Sequence, residues 1–467
     1  MEATPLLSKA SESQVAFLSP ASWDLLHRMI DEHHAMITDP TVVTDEMIER
    51  MKSDMKDAGA VFGGRLLSPF LRPNFLTRSQ FRYVAAAIRE TMAAIRVVEE
   101  RALSDSAFLQ RMGVTEAEAK LIAIEPGLAR FSYKSRMDTF LTPEAFKFVE
   151  YNAESPAGIA YGDRLQEIAY EFEPTRRMRE RYKISMAQSR EEVLATLLAA
   201  WEEWGGKHKP RIGIVDYLDV PTVTEFHMFG EYFESRGYQT VVFDPRNLEY
   251  RDGRLMAGDF HIEMLYRRVL VNELLERIDA CKALVDAVRD RAVCMVNPFR
   301  AKLLHKKLLF AVLWAPDMQQ HFSEAMRETI RKHVPWTVRV AEGRVIHHGD
   351  SVDLVEFARA NRDRLVLKPN DEYGGKGVQI GWERTESEWD AALQTALHEP
   401  FVLQERVPVA RTEFPDIARN VAPRVVDLDP FIFGDRVTGC LTRLSDTSLC
   451  NVTSGGGQTP TLIVEDE

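Results

Sequence analysis

The stretch Leu365 to Ile380, LVLKPNDEYGGKGVQI, restricts this chain more than any other. An apolar run ends in Lys368. A loop with Gly374, Gly375 and Gly377 around a second lysine, Lys376, follows, and an apolar run returns over Gly377 to Ile380. The pattern predicts a β-hairpin with a glycine-rich connection. Such a loop can lay backbone N–H groups against phosphate oxygens, because no side chain blocks the approach. Lys368 and Lys376 would add positive charge to the same anion. The pattern equally describes a plain hairpin with surface lysines, so the rest of the chain must choose between the two.

Composition narrows the field. In 467 residues, 59 Lys and Arg stand against 71 Asp and Glu, a formal net charge of −12. That balance argues against a general nucleic-acid binder, which needs a basic face, but leaves room for a local basic pocket. With 45% hydrophobic residues the chain is not a largely disordered one. No apolar run of about eighteen residues predicts a membrane span. The start, Met1-Glu2-Ala3-Thr4-Pro5, lacks the basic-then-apolar pattern of a signal peptide. Cys281, Cys294, Cys440 and Cys450 show no CxxC spacing and read as free thiols. Together these features predict a cytoplasmic protein of about three domains, with no membrane and no nucleic-acid partner.

The pattern along the chain is mixed. Residues 1 to about 130 read as mainly helical, as over Tyr83 to Ala102, with a loop at Leu66 to Phe75 marked by Pro69 and Pro73. Phe146 to Asn152 reads as a strand, Ala153 to Gly158 as a turn, and helical pattern resumes to Trp204, where Trp201 and Trp204 suit helix packing. After the break Gly205 to Pro210, the runs Arg211–Asp216, Thr222–Ser235 and Tyr238–Pro245 predict a strand–helix–strand unit with a parallel pair. No GxGxxG follows its first strand, so a dinucleotide site has no support. From about 335 the chain is strand-rich, with strands predicted over Arg364–Pro369, Phe401–Glu405, Val425–Phe433 and Arg436–Leu444.

Two further constellations could carry chemistry. Glu150 and Asn152 lie two apart on a predicted strand and therefore project together, with Tyr151 opposite. Asp138 lies twelve residues before Glu150, which suits an antiparallel neighbour joined through Thr142-Pro143-Glu144. Two carboxylates and an amide oxygen make a hard, all-oxygen set suited to Mg²⁺. Arg136 shares the face of Asp138 and could meet a terminal phosphate in bidentate fashion. The bland alternative is an ordinary solvated strand face. The third constellation is Arg443 on a strand, then Asn451 leading into Gly455-Gly456-Gly457, which also suits an anion; a strand with a flexible tail is its competitor. Tyr266-Arg267-Arg268 offers a carboxylate or phosphate contact from the middle of the chain. The paired histidines His33-His34 and His347-His348 are read as solvated or packed, since adjacent side chains point different ways. The three constellations together describe one site for ATP and its metal.

With these pieces in place, the chain resembles the circularly permuted ATP-grasp proteins, such as glutathionylspermidine synthetases. The matching segments are RMD at 136–138, FVEYNAESPAG at 148–158, LVLKPNDEYGGKGV at 365–378, FVLQERVP at 401–408 and the run from Leu441 to Gly457. The metal motif precedes the lysine strands, as permutation requires. The resemblance implies an α/β (α+β) fold: a helical N-terminal part (1–130), metal-binding strands and a helix (131–205), a Rossmann-like pre-ATP-grasp domain (206–300) and a nucleotide-binding part (301–467). It implies an ATP-dependent carboxylate–amine ligase working through an acyl phosphate, with ATP and Mg²⁺ as cofactors and a small-molecule or peptide acid and an amine as substrates. Asp138, Glu150 and Asn152 would hold the metal. Arg136 and Arg443 would meet the transferring phosphoryl. Lys368, Lys376, Gly374, Gly375 and Gly377 would hold and cover the phosphates, Gln404, Glu405 and Val407 would form the adenine hinge, and Asn451 would assist. An additional ATP lysine falls at Lys307 or its neighbour Lys306. Asn152-Ala153-Glu154-Ser155-Pro156 departs from the family's usual Asn-Ala-Asp-Thr-Pro, which implies a differently shaped substrate pocket. A phosphotransferase on the same fold, or an inactive nucleotide-binding scaffold, are the alternatives.

Overall fold

The computed structural model describes residues 19–103, 106–450 and 456–466. Its centre is an eight-stranded sheet assembled from three distant parts of the chain. Six strands run in the order Asn74–Thr77, Gly457–Val464, Arg436–Ser445, Val421–Phe433, Lys134–Leu141 and Phe146–Asn152; Ala410–Pro415 and Ile184–Ser185 pair at the side. All pairings are antiparallel except that of Gly457–Val464 with Asn74–Thr77. Every residue of Lys134–Leu141 is buried. Alternation sorts its neighbours between two cores, because successive strand residues face opposite sides. Met137, Tyr151, Leu428 and Ile432 pack toward the helix Arg78–Ala102. Phe431, Phe433 and Leu441 pack toward the helix Ser189–Trp204. Arg78–Ala102 begins earlier than the predicted Tyr83 because Thr77 and Gln80 form a reciprocal capping box.

The predicted strand–helix–strand unit is present as Ile212–Val215, Val223–Ser235 and Thr240–Phe243. It belongs to a four-stranded, all-parallel sheet in the order Cys294–Val296, Met264–Arg267, Ile212–Val215, Thr240–Phe243. A third sheet, antiparallel, has the order Thr337–Arg339, Phe401–Glu405, Leu365–Pro369, Gln379–Ile380. Trp389 and Leu393 of the helix Glu386–His398 fill its apolar side. Trp201 and Trp204 stack on each other with centroids 5.5 Å apart, in the packing role expected of them.

Three expectations need correction. The returning arm of the glycine hairpin is only Gln379–Ile380, because Gly374, Gly375 and Gly377 all adopt positive φ and keep the chain out of the extended region. The expected loop Leu66–Phe75 ends inside a sheet strand, Asn74–Thr77, whose partner lies at the far end of the chain. The run that begins at Gly457 is no loose tail: Gly457–Val464 is a fully buried strand of the central sheet. A Cβ on Gly457 would come within 2.8 Å of Phe70 and 2.9 Å of Pro69, so glycine is required there by close packing.

Asn297, 2% exposed, fastens the parallel sheet to the central one. Its side-chain oxygen accepts from the N–H of Tyr133 (2.7 Å) and Lys134 (3.2 Å), and its amide nitrogen donates to the carbonyls of Lys134 (2.7 Å), Ala153 (2.9 Å) and Glu154 (2.8 Å). Asn297→Ala would strand several buried backbone groups at once. The expected loss is about 2–4 kcal/mol in urea unfolding; a loss below about 0.5 kcal/mol would show that water or rearrangement replaces the hub.

Candidate functional site

A cleft of about 430 Å³ opens between the central sheet, the carboxyl ends of the parallel strands and the glycine loop. Arg136, Asp138, Glu150, Asn152 and Arg443 line it from the central sheet, Asp216 and Arg268 from the parallel strands, and Tyr373 and Gly374 from the loop.

The first wall is a local product of the sequence. The Thr142 hydroxyl accepts the N–H groups of Glu144 (3.3 Å) and Ala145 (3.0 Å) and so closes the turn between the two strands. The resulting register sets Asp138 opposite Glu150 and Arg136 opposite Asn152, with an irregularity after Asp138. Arg136 donates from Nε and Nη2 to the two oxygens of Asp138, at 2.8 and 3.2 Å. Asn152 donates to Asp138 Oδ1 at 2.9 Å. Tyr151 points the other way, to the Ser135 hydroxyl at 3.0 Å.

The second wall comes from the end of the chain. Arg443 donates to Asp138 Oδ2 at 2.6 Å and to Asp427 Oδ2 at 2.5 Å, and its Nε lies 2.9 Å from Asp429 Oδ2. Burial alone would raise the Asp138 carboxyl, but Arg136 and Arg443 outweigh it and hold the group below the usual carboxylate range. Burial dominates at Asp429, which is pushed well above that range against the pull of Arg443, and Asp427 is raised for the same reason. Asp427 and Asp429 were not anticipated. Their signal was present: two acids spaced by two on an apolar strand must share one face.

Lysines approach from the third sheet, which carries Lys368, and from the break between the helices Ala301–His305 and Leu308–Trp314, which carries Lys306 and Lys307. Lys307 Nζ lies 3.1 Å from Glu150 Oε1 and donates to the Glu372 carbonyl at 2.5 Å. Its neighbour Lys306 turns elsewhere, to Glu118 (2.8 Å) and Asp371 (2.9 Å). Lys368 donates to the Val149 carbonyl (3.0 Å) and to Gln404 Oε1 (2.7 Å). Burial pulls its ammonium down to about 8, against the pull of Glu150. Burial would also raise Glu150, but Lys307 outweighs it and holds the carboxyl low.

The remaining expected residues are more scattered. Lys376 is an exposed loop residue paired with Glu372 at 3.2 Å, away from the cleft wall. Gly375 and Gly377 serve the backbone; a Cβ on Gly377 would sit 2.7 Å from Pro369. The Glu405 carboxylate is engaged by His347 and His348. Val407 packs beside Phe140, Val425 and Cys450. Asn451 lies outside the described residues. Arg267 is fully buried against Glu154 at 3.0 Å, so the departure at position 154 is answered by an internal ion pair rather than by the cleft. Arg268 does reach the cleft while pairing with Glu225 at 3.0 Å.

The donor set is chemically uniform. Asp138, Glu150 and Asn152 offer oxygen ligands, which suit a hard divalent cation. Arg136, Arg443, Lys307 and Lys368 surround them with positive charge. Such a site fits a polyphosphate neutralised by a divalent cation.

Comparison with known proteins bears on the family and the fold. The sequence pattern of the circularly permuted ATP-grasp type 2 family matches residues 141–445. Uncharacterized proteins of Mycobacterium leprae (strain TN) and Mycobacterium tuberculosis (strain H37Rv) are each 23% identical over 339 residues, which is 68% of this chain and 56% and 58% of theirs. The chain thus spans little more than half the length of the curated relatives it matches. Among solved structures, a glutathione synthetase-like effector of Globodera pallida in apo form shares the fold: the TM-score is 0.57 at 17% identity, over 91% of this chain and 97% of that one.

The parallel-sheet wall carries a titratable group of its own. Asp216 is 7% exposed, and one of its oxygens accepts the N–H of Tyr217 at 2.7 Å. Burial pushes its carboxyl up to about 7, against the pull of Arg268. A carboxyl raised in the folded state contributes stability that is complete below its unfolded value and is lost as pH rises toward 7. Asp216→Asn keeps the hydrogen bond and removes the titration. It should be neutral at pH 4 and stabilise by on the order of 2–4 kcal/mol at pH 8 in chemical denaturation. An equal effect at both pH values would sink that account.

Proposed function

The chain belongs to the circularly permuted ATP-grasp type 2 family, and we propose that it is an ATP-dependent ligase joining a carboxylate to an amine, in the manner of glutathionylspermidine synthetases. The observation that carries this reading is the meeting of Arg136, Asp138, Glu150, Asn152 and Arg443 in one cleft, with Lys307 beside Glu150.

Asp138, Glu150 and Asn152 would hold Mg²⁺, which supplies charge neutralisation along the triphosphate. Lys368 and Lys307 would bind the phosphates. Arg136 and Arg443 would orient the γ-phosphoryl for in-line attack by the substrate carboxylate. That attack forms an acyl phosphate and releases ADP. The amine then attacks the acyl carbon, phosphate leaves, and an amide remains with the amine's proton lost. Preorganised positive charge does the main work, since two anions must approach each other. The glycine loop at 374–377 would cover the phosphates, and Gln404, Glu405 and Val407 would border the adenine.

The acid and amine would enter beside the carboxyl ends of the parallel strands. There the chain order reverses between Ile212–Val215 and Met264–Arg267, and such a crevice is the usual ligand position in open parallel sheets. Arg268 and Asp216 line that side.

The test is ADP release with Mg²⁺, ATP and pooled acids and amines. Turnover should require one acid pool and one amine pool and fall by about 10²-fold or more in Glu150→Gln. Failure of the wild type to bind ATP in Mg²⁺ would end this reading. The adjacent lysines give a sharper check. Lys307→Ala should raise the KM for ATP by about tenfold or more in protein that still folds. Lys306→Ala, which leaves Lys302 alone to face Glu118 and Asp371, should chiefly lower stability. The reverse pattern would reassign the two residues.

A further inference from the structure

Outside the cleft, three side chains converge on one point. The strands Arg344–His347 and Asp350–Asp353 form a hairpin closed by the two residues His348 and Gly349. Both have positive φ, +47° and +103°. A two-residue hairpin turn of this kind favours Asn, Asp or Gly at its first position. Histidine there is an unfavourable local choice, and it has a geometric consequence. The left-handed backbone at His348 swings its ring back to the side of His347. The expectation that adjacent histidines diverge therefore fails at this pair.

His347 Nε2 lies 2.8 Å from Glu405 Oε1, and His348 Nε2 lies 3.0 Å from the same oxygen. The two rings are 4.5 Å apart between centroids. Aromatic neighbours hold both: Trp336 and Phe357 lie 4.8 and 4.5 Å from His347, and Trp314 lies 5.7 Å from His348. One donor atom from each of His347, His348 and Glu405 falls within 4.8 Å of the others. The side chain of His348 is 51% exposed, so the point is open to solvent.

We propose that His347, His348 and Glu405 bind one borderline transition-metal ion, of the Zn²⁺ class. Two imidazole nitrogens and one carboxylate oxygen match the ligand preferences of such ions and do not suit Mg²⁺ or Ca²⁺. The ion takes the place of the hydrogens that now face Glu405; each neutral ring then carries its proton on Nδ1 and presents Nε2 as a ligand. Three protein ligands leave a fourth tetrahedral position for water on the exposed side. Because Glu405 stands on Phe401–Glu405 and both histidines on the hairpin, the ion fastens the hairpin to the third sheet. The site uses none of the cleft's metal donors; it shares Glu405 with the proposed adenine border, but engages only that residue's carboxylate.

The test uses untagged, metal-stripped full-length protein, titrated with Zn²⁺ in competition with a chromophoric chelator, in parallel with thermal unfolding. The wild type should take up about one equivalent with micromolar or tighter affinity and should unfold at higher temperature with Zn²⁺. His348→Asn suits the turn and should fold as well as the wild type without metal. It should weaken Zn²⁺ binding by about tenfold or more and abolish the thermal shift. Co²⁺ should give a tetrahedral visible spectrum in the wild type that His347→Ala lacks. Zn²⁺ bound as tightly by both histidine variants as by the wild type, or displaced by millimolar Mg²⁺, would overturn the proposal. So would wild-type affinity no better than millimolar.

Discussion

The pairing of Lys134–Leu141 with Val421–Phe433 is the contact on which the rest of the molecule depends. It joins segments 289 residues apart at Thr139 and Leu428, where the threonine hydroxyl also donates to the leucine carbonyl. It carries Arg443 to Asp138 across 305 residues. A buried carboxylate without a counter-charge is strongly destabilising, and breaking such a pair costs about 3–5 kcal/mol. Arg136 gives Asp138 a counter-charge within the early hairpin, and the second one, Arg443, with Asp427 and Asp429 around it, arrives only when the last strands have docked. Long-range closure and the assembly of the cleft are one event.

Backbone interruptions decide where the lysines go. The short helix Ala301–His305 ends at Lys306, which is extended (φ −66°, ψ 133°), and a new helix starts at Leu308. The break sends two adjacent ammonium groups to different partners. Lys306, with Lys302, grips Asp371 at the base of the glycine loop. Lys307 reaches Glu150. The loop is thereby pinned at its root, while its tip carries the exposed Tyr373, whose hydroxyl touches Glu273 at 3.3 Å across the cleft.

Much of this was legible along the chain. The spacing of Arg136, Asp138, Glu150 and Asn152 gave the hairpin, its turn and the shared face, because a strand's period of two is a local property. The strand–helix–strand unit at 212–243 and the strands 401–405 and 436–445 followed from equally local patterns. Gly457–Val464 and Asn74–Thr77 did not stand out, since what makes them strands is each other and the buried sheet between them. Lys376 looked equivalent to Lys368 in the sequence; only burial separates them.

The sequence by itself determined the strands with a clear local pattern, which side chains share their faces, and the order of motifs that marks the permuted family. Tertiary structure alone decided which faces meet. It placed Asp427 and Asp429 beside Arg443, gave Glu154 to Arg267, divided Lys306 from Lys307, and turned His347 and His348 onto Glu405. The reason is physical: side-chain parity is set within a few residues, whereas charge compensation and burial depend on partners that only the closed chain brings within reach.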